Sequence, residues 1–165
     1  MKYESLLELV KPYLKNNELG VEHTLRVLGI AKENYNKYDL DESWKDIVFS
    51  LILLHEVGGS SIKEQYSNGP VIAKKLLQQL GYHDFDIKLI CGCIASHHEI
   101  LKNPHEIFKI LFDSDQLVKL SKEEFSHYNS QKDFDWGKVI DGLYSADLKQ
   151  MAKKKFEEMR KGYSV

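Results

Sequence analysis

The sequence predicts an all-α fold. Three observations carry that expectation. Only three prolines occur in 165 residues, apolar residues recur at helical spacing, and helix-starting and helix-stopping residues separate the periodic stretches. From about Ser5 to Asn16, Leu6, Leu9, Val10 and Tyr13 share one stripe. After Asn17 and Gly20, a longer helix is expected from about Val21 to Tyr38. Asp41 or Ser43 is placed to cap a third helix; it turns Trp44, Ile47, Val48, Leu51 and Leu54 inward and ends at His55. Val57-Gly58-Gly59-Ser60-Ser61 has no apolar period and reads as a mobile loop.

A fourth helix is expected from about Pro70 to Leu80, with proline in its first turn and Gly81 as its stop. Asp84 or Asp86 starts a fifth, strongly apolar from Ile87 to Ala95 and reaching His97-His98. Pro104 opens a sixth that ends near Lys119. From Ser121 to Val165 the chain reads as a short helix, a polar loop at Tyr128 to Asp135, and a helix around Ala146 to Lys161. No repeat or linker divides the chain, so one compact helical bundle over residues 1–165 is expected.

Composition narrows the class. Hydrophobic residues at 42% and charged residues at 29% fit a globular chain and not a disordered one. A net charge of -2 gives no reason to expect nucleic acid or an anionic membrane as partner. Two cysteines exclude a disulfide framework. Cys91 and Cys93, about 200° apart around a helix, cannot pinch one ion and read as buried thiols. Met1 to Lys15 lacks the uninterrupted apolar segment of a signal peptide, and no stretch approaches the roughly 18 apolar residues of a membrane span. A cytoplasmic domain is the expectation. Lys153-Lys154-Lys155, interleaved with Glu157 and Glu158, reads as a solvated helix face.

Chemistry is concentrated in a few residues. Leu53-Leu54-His55-Glu56 puts two metal-capable side chains at the end of an apolar helix, where Gly58-Gly59 lets the chain turn. Taken alone, the pair reads more simply as a histidine favoured by the helix dipole beside an exposed glutamate. At about 100° per residue, Asp115 falls between Phe108 and Leu111 on the buried stripe of its helix. Asp113 lands on the opposite face, with Lys109 and Gln116. A carboxylate on a buried stripe needs a hydrogen-bonding partner, an ion pair or a metal; Arg26 and Arg160 are the arginines available to it. His23 lies at the edge of the face formed by Val27, Ile30, Ala31 and Asn34, a common place for a boundary histidine. Arg26, one turn on, and Lys63, after the glycine loop, are candidates to meet a phosphate, with a solvated role for Lys63 the simpler alternative.

Together these pieces have an order. His23-x-x-Arg26-Val27, Leu54-His55-Glu56, His97-His98-Glu99 and Phe112-Asp113-Ser114-Asp115-Gln116-Leu117 resemble the HD superfamily of metal-dependent phosphohydrolases over about residues 20–160. The resemblance implies an all-helical bundle in which His23, His55, Glu56 and Asp115 hold one divalent metal ion: manganese, magnesium, iron, cobalt, nickel or zinc. Glu56 stands where the family has aspartate. Asn68 stands where its two-metal members have a histidine, so a mononuclear site is expected. His97 and His98 are then free to orient a leaving group or donate a proton.

The activity implied is metal-assisted hydrolysis of a phosphate ester, with Arg26 and Lys63 on the phosphate of a nucleotide or other small phosphorylated metabolite. A degenerate member that binds a nucleotide as a sensor without turnover is the alternative favoured by Glu56. A plain helical interaction module is a third, and it requires Asp115 to be structurally paired.

Overall fold

The computed structural model describes residues 1–163, and every regular element among them is helical. Helices α1 (Tyr3–Leu14) and α2 (Gly20–Asn34) pack on α3 (Lys45–Leu54). The sequence of α3 leaves it no polar face: every side chain from Ile47 to Leu54 is buried, as in a helix enclosed on all sides. Helices α5 (Asp84–Ile94) and α6 (Glu106–Leu117) enclose it further, and α4 (Ile62–Gln79) packs along α5. Truncating a fully buried residue such as Leu53 to alanine would cost about 2–5 kcal/mol.

A second cluster closes the C-terminal end. Leu120, Phe125, Trp136, Ile140, Leu143 and Ala152 are buried together, from the 3₁₀ turn Val118–Leu120, α7 (Phe125–Asn129), α8 (Trp136–Asp141), the turn after it and α9 (Ala146–Tyr163). The Phe125 and Trp136 rings stack 4.9 Å apart, and Leu117 packs against both clusters. The stretch read above to Val165 therefore holds one helix more than expected, α8, which Asp135 caps by accepting the Lys138 amide; residues 164–165 lie outside the described residues. No helix among the described residues is long and apolar enough to cross a membrane.

Four local expectations are corrected. Helix α4 begins at Ile62, not near Pro70, because Ser61 and Glu64 form a reciprocal capping box. Pro70 lies inside the helix, giving up one backbone hydrogen bond. Residues 57–61 do not form a loose loop. Val57 is buried, Asn68 Nδ2 donates to the Gly58 carbonyl (3.3 Å) and Gln65 Nε2 to the Gly59 carbonyl (3.0 Å). Helix α2 stops at Asn34 and continues as a 3₁₀ turn over Tyr35–Lys37. Helix α5 stops at Ile94, leaving His97 and His98 in the turn that follows.

Asp113 is the larger surprise. It is fully buried and accepts hydrogen bonds from Tyr38 Oη (2.7 Å), the Tyr144 amide (2.8 Å) and the Ser145 amide (3.0 Å). The face of α6 that a lone helix would show to solvent is covered by the chain entering α9, thirty residues downstream.

Candidate metal centre

Three helices deliver the site. His23 comes from the first turn of α2, His55 caps the C-terminus of α3, Glu56 follows it, and Asp115 lies in the last turn of α6. His23 and His55 are buried. The α1–α2 connection holds the backbone at Glu56, where Asn17 Nδ2 donates to the Glu56 carbonyl at 2.9 Å. The structure thus brings together all four residues that the resemblance names as ligands.

His23 Nε2 is 3.1 Å from Asp115 Oδ1 and 3.5 Å from Glu56 Oε2. His55 Nε2 is 3.6 Å from the same Asp115 oxygen, beyond hydrogen-bonding distance, and it is a buried polar atom with no hydrogen-bond partner. Each imidazole is oriented from behind. His23 Nδ1 faces both Glu124 carboxylate oxygens at 3.0 Å, and His55 Nδ1 faces the Ile52 carbonyl at 2.5 Å. A neutral ring that donates from Nδ1 turns the Nε2 lone pair into the cluster, an arrangement usual for metal-ligating histidines. His23, His55 and Glu56 offer ligand atoms within 4.8 Å of one another, so the cluster could hold a metal ion. The residues present fit one: His55 Nε2 makes no hydrogen bond, and as a neutral imidazole it would turn a lone pair toward the carboxylates of Glu56 and Asp115.

The protonation of the metal-free cluster has the same cause. Burial opposes a charged His23, yet its hydrogen bonds to Asp115 and Glu124 outweigh that and raise its pKa to about 10. His55 is shifted upward as well, with burial overcome by Asp115 and Glu56. Asp115 is pushed the other way: burial raises it, and the two imidazoles hold it well below the usual carboxylate range. Burial raises Glu56, with the negative charges of Asp115 and Glu124 adding to the shift. The two imidazoles thus hold protons where an ion's charge would otherwise sit.

Glu124, Gln65 and Lys119 belong to the site without any sequence signal that singled them out. Glu124 is fully buried and also accepts from Arg26 Nε at 2.8 Å. The Arg26 side chain is thereby engaged behind His23, and Arg26 is absent from the wall of the adjoining cavity. Gln65 is buried; its Nε2 reaches Glu56 Oε1 at 3.5 Å, while its Oε1 lies 2.6 Å from His98 Nε2 and 3.0 Å from His97 Nε2. That cavity, about 290 Å3, is walled by His23, Glu56, Asp115, Gln65, His98 and Lys119 among others. Lys63 is exposed and lies off its wall.

The paired histidines separate in role. His98 lines the cavity, whereas His97 is 1% exposed and packs its ring 5.4 Å from that of His55. Burial lowers the His97 pKa to about 3, helped by the neighbouring His55 and His98. Both its nitrogens face acceptors, Ile94 O at 2.7 Å and Gln65 Oε1 at 3.0 Å, and a neutral ring donates to only one of them. Lys119 sits 5.3 Å over the Tyr128 ring, and burial lowers its pKa against the pull of Asp115 and Glu124.

No protein-family model, no curated protein and no solved structure matches this chain.

Proposed function

We propose that the chain is a divalent-metal-dependent phosphohydrolase of the HD superfamily type, with His23, His55, Glu56 and Asp115 as its ligands. The observation that carries the reading is the buried, unpartnered Nε2 of His55, aimed with His23 Nε2 at the carboxylates of Glu56 and Asp115. An ion bound there supplies Lewis acidity toward a water and charge to offset that on phosphoryl oxygens.

The chain's own residues do the rest. Glu124 and the Ile52 carbonyl fix the two imidazoles, and Gln65 steadies the Glu56 carboxylate. Lys119, on the cavity wall, meets the anionic end of a substrate, the role expected above of Arg26 and Lys63. His98 turns its Nε2–H to Gln65 Oε1 beside the same space and is the side chain placed to meet a leaving group. Arg26 Nε pairs with Glu124 at 2.8 Å, so the partner of Asp115 is not an arginine but His23, at 3.1 Å; a plain helical module in which that pair is structural is told apart by metal content.

The test combines metal content with turnover. Protein purified from metal-supplemented medium is expected to carry about one divalent ion per chain, removable by chelation. Nucleoside mono-, di- and triphosphates are then assayed with manganese, magnesium and cobalt for the wild type, Glu56→Asp and Glu56→Gln. Glu56→Asp should keep or raise activity, and Glu56→Gln should lower it together with metal affinity. Equal activity in all three removes Glu56 from the ligand set. Retained metal with silence throughout leaves a nucleotide-binding sensor, and absence of metal overturns the reading.

A further inference from the structure

Among the described residues, Lys119 alone of the lysines and arginines walls the 290 Å3 cavity beside the ligand cluster. It is half-buried, a setting in which lysines ordinarily pair with a carboxylate. Lys119 makes no ion pair among the described residues. Its Nζ donates instead to the neutral Gln116 Oε1 at 2.6 Å. It also lies 5.3 Å from the centre of the Tyr128 ring and 5.6 Å from that of Phe134. Both separations fall inside the roughly 6 Å over which a ring face attracts a cation.

The two rings are themselves fixed. Their centres are 5.3 Å apart, Phe134 meets Trp136 edge-on at 4.7 Å, and Trp136 Nε1 donates to Asn129 Oδ1 at 3.1 Å. Trp136 belongs to the buried C-terminal cluster, so the rings stand on a packed base. The segment that carries them begins at Glu124, which faces His23 from behind. Residues 124–134 therefore reach the site twice, once behind an imidazole of the ligand cluster and once around Lys119. A ring face attracts a cation without neutralising it, whereas a carboxylate in the same place would cancel the charge within the protein.

We infer that Tyr128 and Phe134 are positioning residues that hold Lys119 as the anion-binding cation of the site while leaving its charge uncompensated. This rests on the phosphohydrolase reading above for the anion, a phosphoryl group in the cavity. Lys119 meets the anion, and the rings act through Lys119. Without them its long side chain is free to turn toward Asp115 and Glu124, whose charges already act on it. An anion would then have to reorder it, at a cost in side-chain entropy.

The test titrates manganese-loaded protein calorimetrically with inorganic phosphate and follows turnover of p-nitrophenyl phosphate in parallel. Lys119→Gln should weaken phosphate binding at least about tenfold, and Tyr128→Leu or Phe134→Leu about three- to tenfold. Tyr128→Phe and Phe134→Tyr keep a ring and should stay within about twofold of the wild type. In NMR spectra of the metal-free protein, the Lys119 ε-methylene protons should be shifted upfield by the ring currents and return toward ordinary lysine positions in either leucine variant. A double-mutant cycle separates positioning from structure: in the Lys119→Gln background the leucine substitutions should change phosphate affinity by no more than about twofold. Equal losses with and without Lys119 would make the rings structural and overturn the inference. So would a loss in Tyr128→Phe as large as in Tyr128→Leu, or unshifted ε-methylene protons in the wild type. Should the leucine variants not fold, the wild-type spectrum and the two ring-keeping variants still decide. Coupling through Lys119 without turnover keeps the clamp and counts against the enzyme reading. Turnover without coupling removes the clamp and keeps that reading; absence of phosphate binding overturns both.

Discussion

His23 Nδ1 lies 3.0 Å from both carboxylate oxygens of Glu124, a residue 101 positions downstream and fully buried. Arg26 Nε holds the same carboxylate at 2.8 Å, so one buried anion is shared between an imidazole and a guanidinium. Carboxylates behind a ligating imidazole commonly alter metal affinity by about 10–100-fold. Glu124→Gln keeps the shape and removes the charge. We expect its affinity for manganese or zinc, measured by competition with a chromogenic chelator, to fall within that range; an unchanged affinity would leave Glu124 a purely structural residue.

The metal-free protein should lose stability as pH rises. The His23 pKa is about 10 in the folded chain, above its ordinary 6.5. Its contribution is therefore complete below 6.5 and is lost as pH rises through the folded value. Asp115, depressed below its ordinary 3.8, contributes above that value and loses its share as pH falls. In a chelator, Tm should drop by on the order of several degrees from about pH 6 to about pH 9. Saturating metal should raise Tm most at the alkaline end, because the ion displaces the proton. A flat profile in chelator would contradict this.

The two aspartates of α6 should separate cleanly. Asp115→Asn is expected to abolish stoichiometric metal binding while the chain still folds. Asp113→Ala removes the acceptor of the Tyr38 hydroxyl and of the Tyr144 and Ser145 amides, costing about 2–5 kcal/mol. Urea denaturation and metal content of both variants decide the matter, and metal loss in Asp113→Ala without destabilisation would reverse the assignment.

Gly58 is expected to tolerate no side chain. A Cβ there would lie 2.6 Å from Glu64 O and 2.6 Å from Gly69 N, both backbone atoms. Gly58→Ala should cost about 1–3 kcal/mol and weaken metal binding by displacing the neighbouring Glu56. Gly29→Ala is the contrast: nothing lies within 4 Å of its Cβ, and in the exposed interior of α2 it should stabilise by about 0.5–1 kcal/mol. Thermal melts of both variants check the pair.

What the sequence by itself determined is what local chemistry can write. The 3.6-residue period placed α1, α2, α3, α5 and α6 to within a few residues, with Ile47, Val48, Leu51 and Leu54 of α3 turned inward as expected; that Phe49, Ser50, Ile52 and Leu53 are buried too was not read from it. The order of His23, His55-Glu56 and Asp115 pointed to one cluster, and they do meet. Pro70 misled because proline is a strong local signal for a helix start, whereas the capping box of Ser61 and Glu64 opened α4 eight residues earlier.

Only the tertiary structure decided what depends on distant chain segments meeting. Asp113 and Asp115 are two residues apart on one helix, yet one is held by the chain entering α9 and the other faces imidazoles from α2 and α3. Glu124 sits in Ser121-Lys122-Glu123-Glu124, which by composition is surface; it is buried because the 3₁₀ turn after α6 folds it under α2. Periodicity reports which side of a helix is apolar, but the fate of a polar side chain is set by what packs over it. That partner comes from elsewhere in the chain, at a separation no local pattern encodes.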